Sequence, residues 1–275
     1  MQLLNTKTDY KRAYRNIIKN GVKYLRKYPK IEFLILGLSG GIDSTLTAAL
    51  ARDICKELPH IKLMGYSIPI ESNTKDEVHR AEQAGLAFCH CFNEIHVVEK
   101  LYEYYKLYDR PSTDIAYGNI KARLRMMYLY DQAYKMNGLV LSTDNYTEYM
   151  LGFWTLHGDV GDLGLLQNLW KTEVYRLAEY LGGKLDDNEK EVIERACQAI
   201  PTDGLGISES DFDQLGEDNY ERIDLILFRY SELGDHLLMN HPVIQRHLNT
   251  EFKRNNPFNI MRKEIIKIKG ENYES

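Results

Sequence analysis

The chain has 275 residues, 27% of them charged, and a formal net charge of −5. That length can bury a sizeable core, as one large α/β domain or two small ones. The acidic balance argues against the broad basic footprint of a non-specific nucleic-acid binder. No apolar run is long enough to span a bilayer, and Met1-Gln2-Leu3-Leu4-Asn5-Thr6-Lys7 lacks the apolar core of a signal peptide. Four cysteines (Cys55, Cys89, Cys91, Cys197) fit no disulfide framework at this size. The expected compartment is therefore the reducing cytoplasm, with neither nucleic acid nor membrane as partner.

Tyr10, Ala13, Tyr14, Ile17, Ile18, Val22 and Leu25 recur every three or four residues and predict an N-terminal amphipathic helix over about 8–28, stopped by Pro29. The apolar run Ile31–Leu38, containing Gly37, reads as a buried parallel strand. Ser39-Gly40-Gly41-Ile42-Asp43-Ser44 then makes a tight turn into a helix ending near Leu58-Pro59. Strand, Gly-rich turn and helix start together make an anion site: glycines admit close backbone approach, amides converge, and the dipole favours negative charge. Ser39 and Ser44 add hydroxyls. Asp43 would repel a bound phosphate unless a cation sits between them, so it implies Mg²⁺. Gly-Gly alone would be an ordinary turn with Asp43 or Ser44 as helix cap. The full six residues, matching neither the Walker pattern nor G-x-G-x-x-G, predict a phosphate loop of another kind.

Lys62–Pro69 predicts a second strand, and in such a sheet the segment after Ile68 is a candidate wall for a nucleotide base. A helix follows over 74–88, then a strand around Glu94–Val98. Cys89-His90-Cys91 is spaced too tightly for a zinc pair and reads as ordinary thiols before a strand. The Tyr-rich stretch Tyr102–Tyr108 has no basic interleaving and reads as a surface helix. Residues 117–136 give the strongest helical pattern, with Asn137-Gly138 as its stop. Leu139–Thr143 is the next buried strand, and Asp144–Glu148 starts the loop at its carboxyl end. Helices are expected over 171–181, ended by Gly182-Gly183, and over about 187–196, 219–233 and 239–253. Between them, residues 201–216, with three glycines, read as a long functional loop. A polar tail follows after about 260. With no internal repeat and no long linker, residues 1–275 are read as one domain.

The Ser39–Ser44 loop resembles the pyrophosphate loop of the ATP pyrophosphatase superfamily, enzymes that cleave ATP to AMP and pyrophosphate. With the later blocks, the chain from about 10 to 260 resembles ammonia-dependent NAD synthetase. That resemblance implies a doubly wound parallel sheet of the adenine nucleotide alpha hydrolase kind, with a helical C-terminal part. It implies a homodimer with the acid site at the subunit interface. It also implies a reaction in which ATP adenylates deamido-NAD and ammonia displaces AMP to give NAD.

Residue by residue, the resemblance implies ATP contacts at Gly37, Leu38, Ser39, Gly40, Gly41, Ile42, Asp43 and Ser44, at Thr143, at Lys171 and at Thr202. Metal ligands are implied at Asp43 and Glu148, and deamido-NAD contacts at Arg123, Asp162 and Lys253, with Asp43 and Lys171 as the catalytic pair. Lys171 in a helix's first turn opposes the dipole, and a polyphosphate supplies a reason for it. Leu163-Gly164-Leu165-Leu166, Leu156 and Phe252 depart from the family pattern, all on the acid side.

Rival readings are another enzyme on the same loop, GMP-synthetase-like or a tRNA thiolase, and a non-catalytic nucleotide-binding module. Only about thirty residues precede the first strand, against roughly 100 for a domain, so free ammonia rather than glutamine is the expected nitrogen donor.

Overall fold

The structure is a computed structural model that describes residues 3–108, 113–202 and 204–265. In chain order the elements are α1 (Lys7–Leu25), β1 (Phe33–Gly37), α2 (Ile42–Glu57), β2 (Lys62–Ser67), α3 (Lys75–Phe88), β3 (Cys91–Glu94) and α4 (Val97–Tyr108). There follow α5 (Asp114–Lys135), β4 (Gly138–Ser142), α6 (Tyr146–Leu151), β5 (Leu163–Gly164), α7 (Lys171–Gly182) and α8 (Asp187–Gln198). The C-terminal part holds α9 (Phe212–Leu215), α10 (Tyr220–Leu233), a 3₁₀ turn (His236–Asn240), α11 (Pro242–Asn249), α12 (Glu251–Arg254) and α13 (Arg262–Ile265).

All strand pairs are parallel, in the order β3-β2-β1-β4-β5. Alternation along each strand feeds two cores. Leu34, Leu36 and Leu141 point into a cluster with α1, α2, α3, α7 and α8, whereas Ile35 and Val140 point into a second cluster with α4 and α5. Helices thus cover both faces, as the doubly wound reading expected. A third cluster joins α6, Trp170, α10 and α11 into the helical C-terminal part.

Winding runs from β1 outward to β3 and then returns to place β4 on β1's other side, with Phe33 opposite both Lys62 and Gly138. The loops after β1 and β4 therefore diverge and leave a crevice at the carboxyl ends of these two strands, where ligands bind in this architecture.

Four expected elements differ. The third strand is 91–94, because Val97 and Val98 belong to α4 and Val98 packs fully buried on the α5 side. Residues 146–151 form α6 where a loop was expected: Asn145 and Glu148 cap each other's backbone amides in a capping box. The two-residue β5 had no sequence signal. The single helix expected over 239–253 is broken, with Pro242 starting α11 and Thr250 separating it from α12. The polar tail lies, beyond residue 265, outside the described residues, as does residue 203 of the long loop.

Candidate active site

The crevice opens into a cleft of about 390 Å³. One wall is the turn from β1 into α2. Gly40 has φ +81°, and a Cβ there would lie 2.3 Å from the Glu77 carbonyl oxygen, so this turn requires glycine. The hydroxyls hold the turn from within: the Ser39 amide donates to Ser44 Oγ (3.2 Å), and the Gly41 amide donates to Ser39 Oγ (3.2 Å). Arg80 Nε donates to the Gly40 carbonyl (2.9 Å). Gly37, Leu38, Ser39, Gly41, Ile42, Asp43 and Ser44 all line the cleft. Its lining also includes Tyr66, Ser67, Ile68 and Pro69 at the end of β2, a mostly apolar flank.

At the cleft's centre, Lys171 opens α7 and reaches towards two carboxylates. Its Nζ donates to Asp43 Oδ2 and lies 3.5 Å from Glu148 Oε1. Asn145 completes the arrangement: its Nδ2 donates to Asp43 Oδ1 (2.9 Å), and its Oδ1 accepts the Glu148 amide (3.0 Å). Residues 43, 145, 148 and 171 come from three separate elements and meet because α2, α6 and α7 all start at this edge.

Lys171 is only 4% exposed. Burial works against its ammonium, but Asp43 and then Glu148 outweigh that and hold its pKa well above the ordinary lysine value. Glu148 is driven well above the carboxylate range, first by burial; Lys171 opposes this, while Asp43 and Asp144 add to it. Asp144, 8% exposed, is pushed up to about 7, by burial first and then by Asp159, with Ser142 Oγ donating to it in opposition. One ammonium faces more acid than it neutralises.

That imbalance bears on Mg²⁺. Among the described residues, no group of three or more His, Cys, Asp or Glu side chains is placed to hold a metal. Two carboxylates sharing one cation position, beside the glycine turn, nonetheless fit an ion that takes one or two protein carboxylates and completes its shell with phosphate and water.

The remaining predicted residues divide. Thr143, Thr202 and Lys253 line the cleft. Thr202 Oγ1 donates to Glu77 Oε1 (3.2 Å), and Lys253 Nζ donates to the Gly152 and Trp154 carbonyls (2.7 and 2.6 Å). Arg123 and Asp162 are not among the lining residues. Arg123 Nε donates to the Leu156 carbonyl (3.1 Å). Asp162 Oδ2 accepts the Val140 amide (2.9 Å), and its Oδ1 accepts the Tyr130 hydroxyl (3.0 Å), which ties the edge of β4. Sequence reasoning missed Asp144 and Asn145 as site residues. For Asn145 a signal existed, since Asn-x-x-Glu before an apolar stretch marks a helix start.

A protein-family model described as NAD synthase matches residues 13–257. The NH(3)-dependent NAD(+) synthetase of Methanocaldococcus jannaschii is 36% identical over 237 residues, 80% of this chain and 83% of that protein. That of Finegoldia magna is 34% identical over 210 residues, covering 75% and 76%. Among solved structures, the NMN synthetase from Francisella tularensis has a TM-score of 0.73 at 26% identity, covering 89% of this chain and 95% of that one. The NH3-dependent NAD synthetase from Campylobacter jejuni shares the fold with a TM-score of 0.69 at 24% identity, covering 92% and 99%.

Proposed function

The chain belongs to the NAD synthase family, and from that premise we propose how its cleft performs the ATP-dependent amidation of deamido-NAD to NAD. A carboxylate resists ammonia because its leaving group would be oxide. Transfer of AMP onto it makes a mixed anhydride with a good leaving group, and the protein's part is to position two anionic substrates and screen their repulsion. The observation that carries this reading is the meeting of Asp43 and Glu148 on Lys171 Nζ beside the Gly40-Gly41 turn.

In this reading the Ser39–Ser44 turn cradles the ATP phosphates, Lys171 meets their charge, and Thr143 and Thr202 flank the nucleotide. Asp43 and Glu148 would hold Mg²⁺, which when bound neutralises charge developing as pyrophosphate leaves. Lys253 faces deamido-NAD from the cleft lining, and Arg123 and Asp162 are assigned to the same substrate from outside that lining. The protein acts as one catalytic domain spanning residues 1–275. Ammonia attacks as the neutral base, because ammonium has no lone pair.

Exposed Leu107, Tyr108, Ile115, Met127, Tyr130 and Tyr134 on α4 and α5 support a homodimer across that face. Four free cysteines support a reducing, cytoplasmic setting. No helix among the described residues is long and apolar enough to cross a membrane.

Purified protein given ATP, Mg²⁺, ammonium and deamido-NAD should form NAD, AMP and pyrophosphate in equal amounts. Release of ADP and phosphate instead, or no NAD, would overturn the reading. A second reading keeps the chemistry and shortens the acid to its mononucleotide. The likeness to an NMN synthetase favours it, as does the position of Arg123 and Asp162 outside the cleft lining. The same assay with the mononucleotide acid decides between them by the ratio of kcat/KM values.

A further inference from the structure

Lys171 is held from behind by a helix that contributes nothing to the phosphate loop. On α10, Tyr220 and Asp224 stand four residues apart and so share a face. They are 4% and 5% exposed, on a stripe that also buries Ile223 and Leu227. A carboxyl group on such a face is costly unless its oxygens are partnered.

Asp224 is partnered by the start of α7. Thr147 Oγ1 donates to Asp224 Oδ1, and the Thr172 amide donates to Oδ2 (2.9 Å). The same Thr147 hydroxyl accepts the Lys171 amide (2.8 Å). The amides of residues 171 and 172 belong to the first turn of α7, which has no intrahelical acceptors for them. Trp170, the residue before it, has no side-chain oxygen to offer. Asp224 and Thr147 together replace the missing cap. They also join α7 to α6, where Thr147 directly precedes Glu148. At the other end of the lysine, the Tyr220 ring centroid lies 5.3 Å from Nζ, within cation–π range, and the Tyr220 hydroxyl donates to Asp211 (2.6 Å).

We propose that Asp224 and Tyr220 are positioning residues for Lys171: Asp224 fixes where α7 begins, and Tyr220 fixes where the ammonium ends. The macrodipole disfavours a cation in this first turn, and a carboxylate on the Thr172 amide, linked through the Thr147 hydroxyl to the Lys171 amide, offsets that. The inference rests on the reading that Lys171 meets the ATP phosphates. Neither residue lines the cleft, so loosening them displaces the ammonium while leaving the other lining residues in place. The loss falls on kcat and spares KM.

The experiment compares steady-state NAD formation and melting temperature for Asp224→Asn, Tyr220→Leu, Lys171→Ala, the double variant Lys171→Ala/Asp224→Asn, and Leu227→Ala as a control for plain core damage in α10. Asparagine keeps the size of Asp224 but turns one oxygen into a donor facing donors. Asp224→Asn should lower kcat about 10-fold or more, with KM for ATP and for the acid within about 3-fold, on the scale of small misplacements of a catalytic group. Tyr220→Leu should follow the same split with a smaller loss. Leu227→Ala should lower the melting temperature and keep the kcat of the folded fraction. Asp224→Asn should add nothing to the loss already present in Lys171→Ala.

Parental kcat in Asp224→Asn, equal kcat losses in Asp224→Asn and Leu227→Ala, or a full further loss in the double variant would each overturn the inference. If Asp224→Asn does not fold, Thr147→Val removes the shared hydroxyl and reads the same split. Should Lys171→Ala keep parental turnover, the reading of Lys171 falls. Should it lose turnover while Asp224→Asn does not, the positioning inference falls alone.

Discussion

The two ends of the cleft are held by different means. At the phosphate end, side chains meet side chains across elements: Lys171 on Asp43 and Glu148, and Asn145 on Asp43. At the end proposed to take the acid, and in the loop behind its lining, polar groups mostly bind backbone. Arg123 holds the Leu156 carbonyl, Lys253 holds those of Gly152 and Trp154, and Asp162 holds the Val140 amide. The first arrangement concentrates charge at one point, as the proposed handling of polyphosphate requires. The second shapes a loop, 152–162, into a wall. Damage should therefore act on chemistry at one end and on binding at the other.

The largest effect should come from Asp43→Ala. It removes the carboxylate that Lys171 and Asn145 both address, and AMP and pyrophosphate formation should fall at least ~100-fold, about 2.7 kcal/mol of transition-state stabilisation, with the fold intact by circular dichroism. Near-normal turnover with unchanged Mg²⁺ dependence would break the comparison at its stronger end. At the weaker end, Lys253→Ala should raise KM for the acid roughly 10-fold, the scale of a lost charged contact, while KM for ATP and kcat move little. A fall in kcat alone would mean that the wall takes part in chemistry and that the two ends are not distinct.

The smallest effect should appear in stability. Asp144 has its pKa raised from 3.8 to about 7 in the folded chain, so the folded state keeps a proton that the unfolded state loses first. Its contribution therefore falls as pH rises from about 4 to about 7. Asp144→Asn should melt above the parent by a few degrees at pH 7.5, on the order of 1 kcal/mol, with a narrower gap at pH 5.5. An equal gap at both pH values would remove the excess of buried acid from the description of the phosphate end.

The phosphate end was legible in the sequence because its signals are local. Six consecutive residues after an apolar strand build the turn around Gly40, and Lys171 announces itself as a cation where a helix disfavours one. The sheet was legible for the same reason, since β1, β2 and β4 are short apolar runs closed by Gly, Pro or polar residues. What escaped depends on distant partners. Tyr220 and Asp224 look like ordinary residues of a fold-closing helix until α7 is packed against them, although an acid on the stripe of Ile223 and Leu227 is itself a mark. Val97 and Val98 drew the third strand too far along because β-branched residues suit strands, yet burial against α5 decided the matter. At Asp162, the ties to the Val140 amide and the Tyr130 hydroxyl run to residues far back in the chain, which no local pattern announces.

Glu77 lines the cleft between two parts of its wall, the turn after β1 and the loop that starts at residue 201. Its carbonyl oxygen lies where a side chain on residue 40 would have to go, so only glycine lets the turn and the start of α3 sit this close. Its carboxylate takes the Thr202 hydroxyl at the head of the long 201–216 loop, and also the Thr74 amide (2.7 Å) that anchors the start of α3. The turn after β1 and the 201–216 loop are thus tied to the same residue, so a change at Glu77 reaches both sides of the cleft.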